Sequence, residues 1–149
     1  MKALSLWQPW ATAIAIGAKK IETRGRRMNY RGLIAIHAAK KRSRELDNVS
    51  LRLARLIRCR VGTTLPGPSD LSRGAVVAIV EVVTCREMDS DWIAEQSSLE
   101  VALGDWRPGR FGIVLRNIRP LLIPFPLRGM QGLWTPTAGT QREILGRAL

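Results

Sequence analysis

Lys19, Glu22 and Arg24 lie within six residues of one another and carry the groups that a phosphate- or base-handling site uses. A guanidinium grips phosphate through paired N–H donors, a carboxylate accepts from a base edge, and an amine can carry a proton or act as a nucleophile. On a strand starting at Lys20, period-two alternation sends Lys20, Glu22 and Arg24 to one face and Ile21 and Thr23 to the other. Gly17 lets the chain bend Lys19 back toward Glu22, so the three charges can form a cluster. Three roles are open to it: an ion-pair network bracing a cleft, a ligand contact, or catalysis with Lys19 and Glu22 at its centre. A general-base role needs Lys19 uncharged, a state that Lys20 and Arg24 favour and Glu22 opposes.

The elements that must hold this cluster are legible from pattern. Lys2–Trp7 reads as a first strand with Trp7 in the core, and Pro9 opens an Ala-rich helix that Gly17 stops. Ile21–Arg24 is a short strand, residues 25–32 an exposed basic loop, and Leu33–Ala38 a central strand. Ser43 caps a helix whose apolar positions Leu46, Val49, Leu53, Leu56 and Ile57 recur at three- and four-residue steps, with Arg44, Arg52 and Arg55 opposite. Gly74–Val83 is the clearest buried strand. Residues 89–103 have helical character and form an acidic insertion or lid. Phe111–Leu115 and Leu121–Ile123 are two further strands, the second held to an edge or corner by Pro120, Pro124 and Pro126. Short strands, corners and two or three helices predict an α+β fold built on a small barrel, with residues 1–149 as a single domain.

Charge points to the partner. Residues 19–60 hold 14 lysines and arginines against three acids, a net of +11, whereas the other 107 residues hold 10 against nine. A positive field concentrated in this way attracts polyanions and gains from the release of phosphate counterions, so nucleic acid leads, ahead of a solubilising face or anionic lipid. No apolar run is long enough to span a bilayer, and the N-terminus lacks the apolar stretch of a signal peptide, which gives the expectation of a cytoplasmic protein with no membrane partner. Cys59, Cys85 and the lone His37 have no metal-site spacing, so no metal or cofactor is expected, although a divalent ion brought by substrate stays open. His37, at the end of an apolar strand, is a core or rim residue or else a general acid. Trp10, Tyr30 and Trp134 are candidates for stacking on bases, and residues 24–31 with Lys40, Lys41 and Arg42 for a backbone-binding track. A protein-interaction adaptor using the acidic stretch 89–105 is a third possibility.

Taken together, Leu4-Ser5-Leu6-Trp7-Gln8-Pro9-Trp10-Ala11 and the spacing Gly17-x-Lys19-x-x-Glu22-x-Arg24 resemble the ASCH domain of the PUA-like superfamily. The likeness continues through Tyr30-Arg31-Gly32, the strand Ile34–Ala38, Pro124–Gly129 and Gly132-Leu133-Trp134. It implies a PUA-like β-barrel of about five to six strands with helices packed around it, and a cleft at the signature segment. Nucleic-acid contacts are then expected from Gln8, Trp10, Lys20, Arg24, Arg26, Arg27, Tyr30, Arg31, Lys40, Lys41, Arg128 and Trp134, with RNA favoured over DNA or a nucleotide. The alternative is hydrolysis, of RNA or of an acylated nucleoside, by Lys19 and Glu22. The family's hydrolase branch has threonine where this chain has Glu22 and uses a later glutamate. Here Thr23 turns to the opposite face, and Glu81, Glu87 and Glu95 stand as unassigned partners.

Overall fold

The structure, a computed structural model, describes residues 1–148. Among these residues six strands form one sheet: β1 (Lys2–Leu6), β2 (Ile21–Arg24), β3 (Gly32–Ala38), β4 (Ala75–Glu87), β5 (Phe111–Pro126) and β6 (Leu133–Trp134), in the order β2-β5-β4-β3-β1-β6. The sheet curls into a half-barrel, open between β2 and β6, with helices α1 (Trp10–Ala15), α2 (Arg44–Val61), α3 (Ser90–Ala94), α4 (Ser98–Ala102) and α5 (Ala138–Arg147) packed around it. No described helix is long and apolar enough to cross a membrane.

Local sequence accounts for these elements. β3 and β4 are central, and their nearly unbroken apolar runs are buried on both faces. β1 runs parallel to β3 with Ser5 beside His37, a pairing that needs the intervening crossover through α1 and β2. Gln8 closes the start of α1, its Oε1 accepting the Thr12 amide at 3.1 Å, and Gly17 ends the segment at φ 78°, a left-handed turn that costs glycine nothing. Ser43 caps α2 by accepting the Leu46 amide at 3.2 Å; Glu45 and Asp47 occupy its positive first turn, and Arg58 and Arg60 its negative last turn. Leu46, Leu53 and Ile57 then bury one side of α2, leaving Arg44, Arg52, Arg55 and Arg58 exposed.

Three expectations are corrected. The strands anticipated at 111–115 and 121–123 are one strand, β5, which stays paired to β4 through three register shifts and turns at Asn117 with φ 49°. β2 covers only Phe111–Val114, so Pro120, Pro124 and Pro126 fall where the far edge of β5 has no strand beside it and a missing N–H leaves no gap in a ladder. Trp7 is not a core residue but 52% exposed, because it follows the last residue of β1 and lies in the turn before α1. The acidic stretch 89–103 is built into the fold: Trp92, Leu99 and Leu103 are buried, and the Glu100 carboxylate accepts the backbone amides of Lys20 (3.2 Å) and Ile21 (3.0 Å). The Asp105 backbone amide donates to Thr23 Oγ1 at 2.9 Å, which fixes the back of β2.

Candidate functional site

The ends of β1, β2 and β3 and the strap 127–132 enclose an open cleft of about 1170 Å³. Its walls carry three cations, Arg24, Lys40 and Arg128, one carboxylate, Glu22, and two indoles, Trp7 and Trp10. The Lys41 ammonium stands over the Trp7 ring, 5.5 Å from its centroid, a cation–π contact that helps fix the indole. A second hollow of about 570 Å³ shares Arg24 and Gly132 with the first and adds Arg26 and Arg27. The Arg27 guanidinium lies 4.8 Å from the Phe111 ring centroid, which keeps this part of the basic loop on the sheet.

Lys19, Glu22 and Arg24 do come together, in layers. The Lys19 ammonium is 1% exposed and outside the cleft wall; it donates to the carbonyls of Ile21 (2.6 Å) and Leu103 (3.0 Å) and sits 3.7 Å from Glu22 Oε2. It therefore ties β2 to the end of α4 and places a fixed positive charge beneath Glu22. Arg24 lies on the solvent side, its Nη1 4.0 Å from Glu22 Oε1. Burial pushes the Glu22 carboxyl above its ordinary range, opposed by the charges of Lys19 and Arg24.

His37 is buried at the cleft floor in a directed chain of hydrogen bonds. Its Nε2 lies 2.9 Å from the Leu127 carbonyl, which can only accept, so Nε2 carries the proton. Burial lowers the His37 pKa, opposed by that carbonyl, and the neutral ring leaves Nδ1 as an acceptor for Ser5 Oγ at 3.1 Å. Trp134 Nε1 in turn donates to Ser5 Oγ at 3.1 Å. The polarity runs from Trp134 through Ser5 and His37 to Leu127, and it locks the strap onto β1 and β3. Gly129 lies against the His37 ring so closely that a Cβ would overlap it.

Of the residues expected to contact nucleic acid, the structure brings Trp10, Arg24, Lys40 and Arg128 to the cleft, Arg26 and Arg27 to the adjoining hollow, and Lys41 onto the Trp7 ring. It does not bring Gln8 there: Gln8 is 1% exposed, and its Nε2 is spent on Thr12 Oγ1 and the Ser72 carbonyl, both at 2.7 Å. Trp134 is the base of the His37 chain rather than a cleft wall. Tyr30 donates to the Leu33 carbonyl at 3.0 Å, Arg31 to the carbonyls of Met28 and Tyr30, and Lys20 is exposed without lining the cleft. Ser5 and the backbone of the strap were not singled out by sequence, and Trp7, read as a core residue, lines the cleft instead. Only the β1–β3 register makes Ser5 a neighbour of His37.

A curled six-stranded sheet with a helix inserted after its first strand and a cleft at the strand ends defines the PUA-like α+β class. Within it, the ASCH domain model matches residues 4–121, and the chain belongs to the ASCH domain family. Activating signal cointegrator 1 from Mus musculus and from Homo sapiens are each 26% identical to it over 132 residues, 88% of this chain. The chain spans only 21% of the length of these relatives. The crystal structure of ASCH from Zymomonas mobilis superposes with a TM-score of 0.62 at 16% identity, covering 99% of this chain and 95% of that one, a likeness of fold.

Proposed function

We propose that the cleft binds single-stranded nucleic acid, RNA in preference to DNA, holding phosphates by Arg24, Lys40 and Arg128 and a base against Trp7 and Trp10. The observation that carries this reading is the composition of the cleft wall: three cations and two indoles around one carboxylate, within a chain whose excess charge is concentrated in the same segment. Cations in such a groove follow a backbone without reading sequence, and aromatic faces accept any base. The hollow at Arg26 and Arg27 extends the positive surface beyond the cleft, and α2 exposes further arginines to solvent. Hydrolysis by Lys19 and Glu22 has less support, because the Lys19 ammonium is enclosed by two carbonyls and Glu22, away from the cleft wall.

Fluorescence anisotropy with labelled single-stranded RNA and DNA of six nucleotides tests the reading. Binding at low salt is expected, tighter for RNA, and Trp7→Ala should weaken it by about 1–3 kcal/mol, the range for a lost base stack. Absence of binding to either strand at low salt would refute it.

A further inference from the structure

Resting on that reading of the cleft, we infer that the bound base is guanine and that Glu22 is the residue that selects it. The Glu22 side chain is nine-tenths buried yet faces the cleft. Its two cationic neighbours stand at 3.7 Å and 4.0 Å, beyond hydrogen-bond length, so both carboxylate oxygens keep open acceptor sites. Among the described residues no protein donor lies within hydrogen-bond distance of the carboxylate, and its open side is the cleft, so a ligand can supply the donors it lacks. It is also the one carboxylate among cleft-lining residues whose other charges are all positive. Phosphate is repelled from it and drawn to Arg24, Lys40 and Arg128, and an internal ribose offers only its single 2′-OH donor, so a base edge is the part of the ligand that can fill both Glu22 oxygens.

The edges of the four bases decide which one fits. Guanine presents two adjacent donors, N1–H and the N2 amino group, and these match the two oxygens of one carboxylate. Adenine and cytosine each set one amino donor beside a ring nitrogen acceptor, so the second carboxylate oxygen would face a lone pair. Uracil offers one N–H between two carbonyls. A carboxylate fixed from below by Lys19 and from the side by Arg24 thus favours guanine and disfavours the other three.

The test uses six-nucleotide RNAs that are uridine at five positions and guanosine, inosine, adenosine or cytidine at the third, with affinity read by anisotropy. For the intact protein the guanosine strand should bind at least about fivefold tighter than the adenosine and cytidine strands, with the inosine strand, which lacks the N2 amino group, in between. In Glu22→Gln the carboxamide offers one acceptor and one donor, so the guanine preference should vanish and the adenosine strand should gain. Should that variant melt early, the intact protein supplies a second readout. Its guanosine preference should decline as pH falls, because a protonated carboxyl is no longer a double acceptor, so the guanosine strand should lose more affinity than the adenosine strand. Equal binding of all strands overturns the guanine inference and leaves the cleft as a nucleic-acid site; no binding of any strand at low salt overturns the cleft reading itself.

Discussion

At the scale of single residues, burial rather than residue type decides what each polar group does. Lys19 and Glu22 looked equivalent in the sequence as members of one charged cluster. The fold separates them, giving Lys19 two backbone carbonyls below the surface and Glu22 an open face on the cleft. Removing Lys19 would strand a buried carboxylate beside two carbonyls that have lost their donor. Lys19→Ala should therefore lower stability by about 3–5 kcal/mol in urea unfolding, the range for breaking a buried pair by taking away one partner. His37 gives a pH signature. Its folded-state pKa lies below the ordinary value of 6.5, so the unfolded chain binds the proton first. The stability this neutral histidine contributes is present above pH 6.5 and is lost as pH falls toward the lowered folded value. Glu22 contributes with the opposite sign: its folded pKa is raised above 4.5, so its contribution is present at low pH and declines as pH rises through the folded value. Unfolding of the intact protein and of His37→Gln between pH 5 and 8 isolates the histidine part, and the difference between them should shrink as pH falls.

Elements with strong local signals were legible, and those made by long-range pairing were not. The Ser43 cap, the apolar steps of α2 and Gly62 at φ 70° mark that helix at both ends. Ser43→Ala should cost about 1 kcal/mol, read as a shift in the thermal midpoint. By contrast, two apolar runs separated by charged and proline residues gave no sign of being one strand, because the register shifts that keep β5 on β4 are a property of the pair. The partnership of Ser5 with His37 depends on a parallel register set across 32 residues of sequence. Glu100 read as surface acidity, since the two donors it accepts from, the amides of Lys20 and Ile21, meet it only once α4 packs behind β2. α5 has a weak amphipathic pattern, and its place is set by Ile144 entering a cluster with Ala3 and Val76. The strap 127–132 is the element most closely tied to the cleft. A methyl at Gly129 would collide with the His37 ring, so Gly129→Ala should destabilise the fold by about 1–3 kcal/mol and weaken RNA binding with it.

For the whole molecule, the uneven distribution of charge was fully visible in the sequence, while the shape that uses it was not. The positive segment 19–60 supplies Arg24 and Lys40 to the cleft, Arg26 and Arg27 to the hollow beside it and Lys41 to the Trp7 ring. Arg128, from a part of the chain with almost no net charge, completes the ring. Each phosphate contact made by this ring releases counterion, so affinity should fall linearly with the logarithm of salt concentration, by about 0.7 per contact on a single strand. The most direct measurement is that slope for the intact protein and for the double variant Lys40→Ala, Arg128→Ala on one RNA. The cleft account predicts a steep slope for the intact protein and a loss of about 1.4 in the double variant. An intact protein whose affinity barely responds to salt, or a double variant with an unchanged slope, would contradict it.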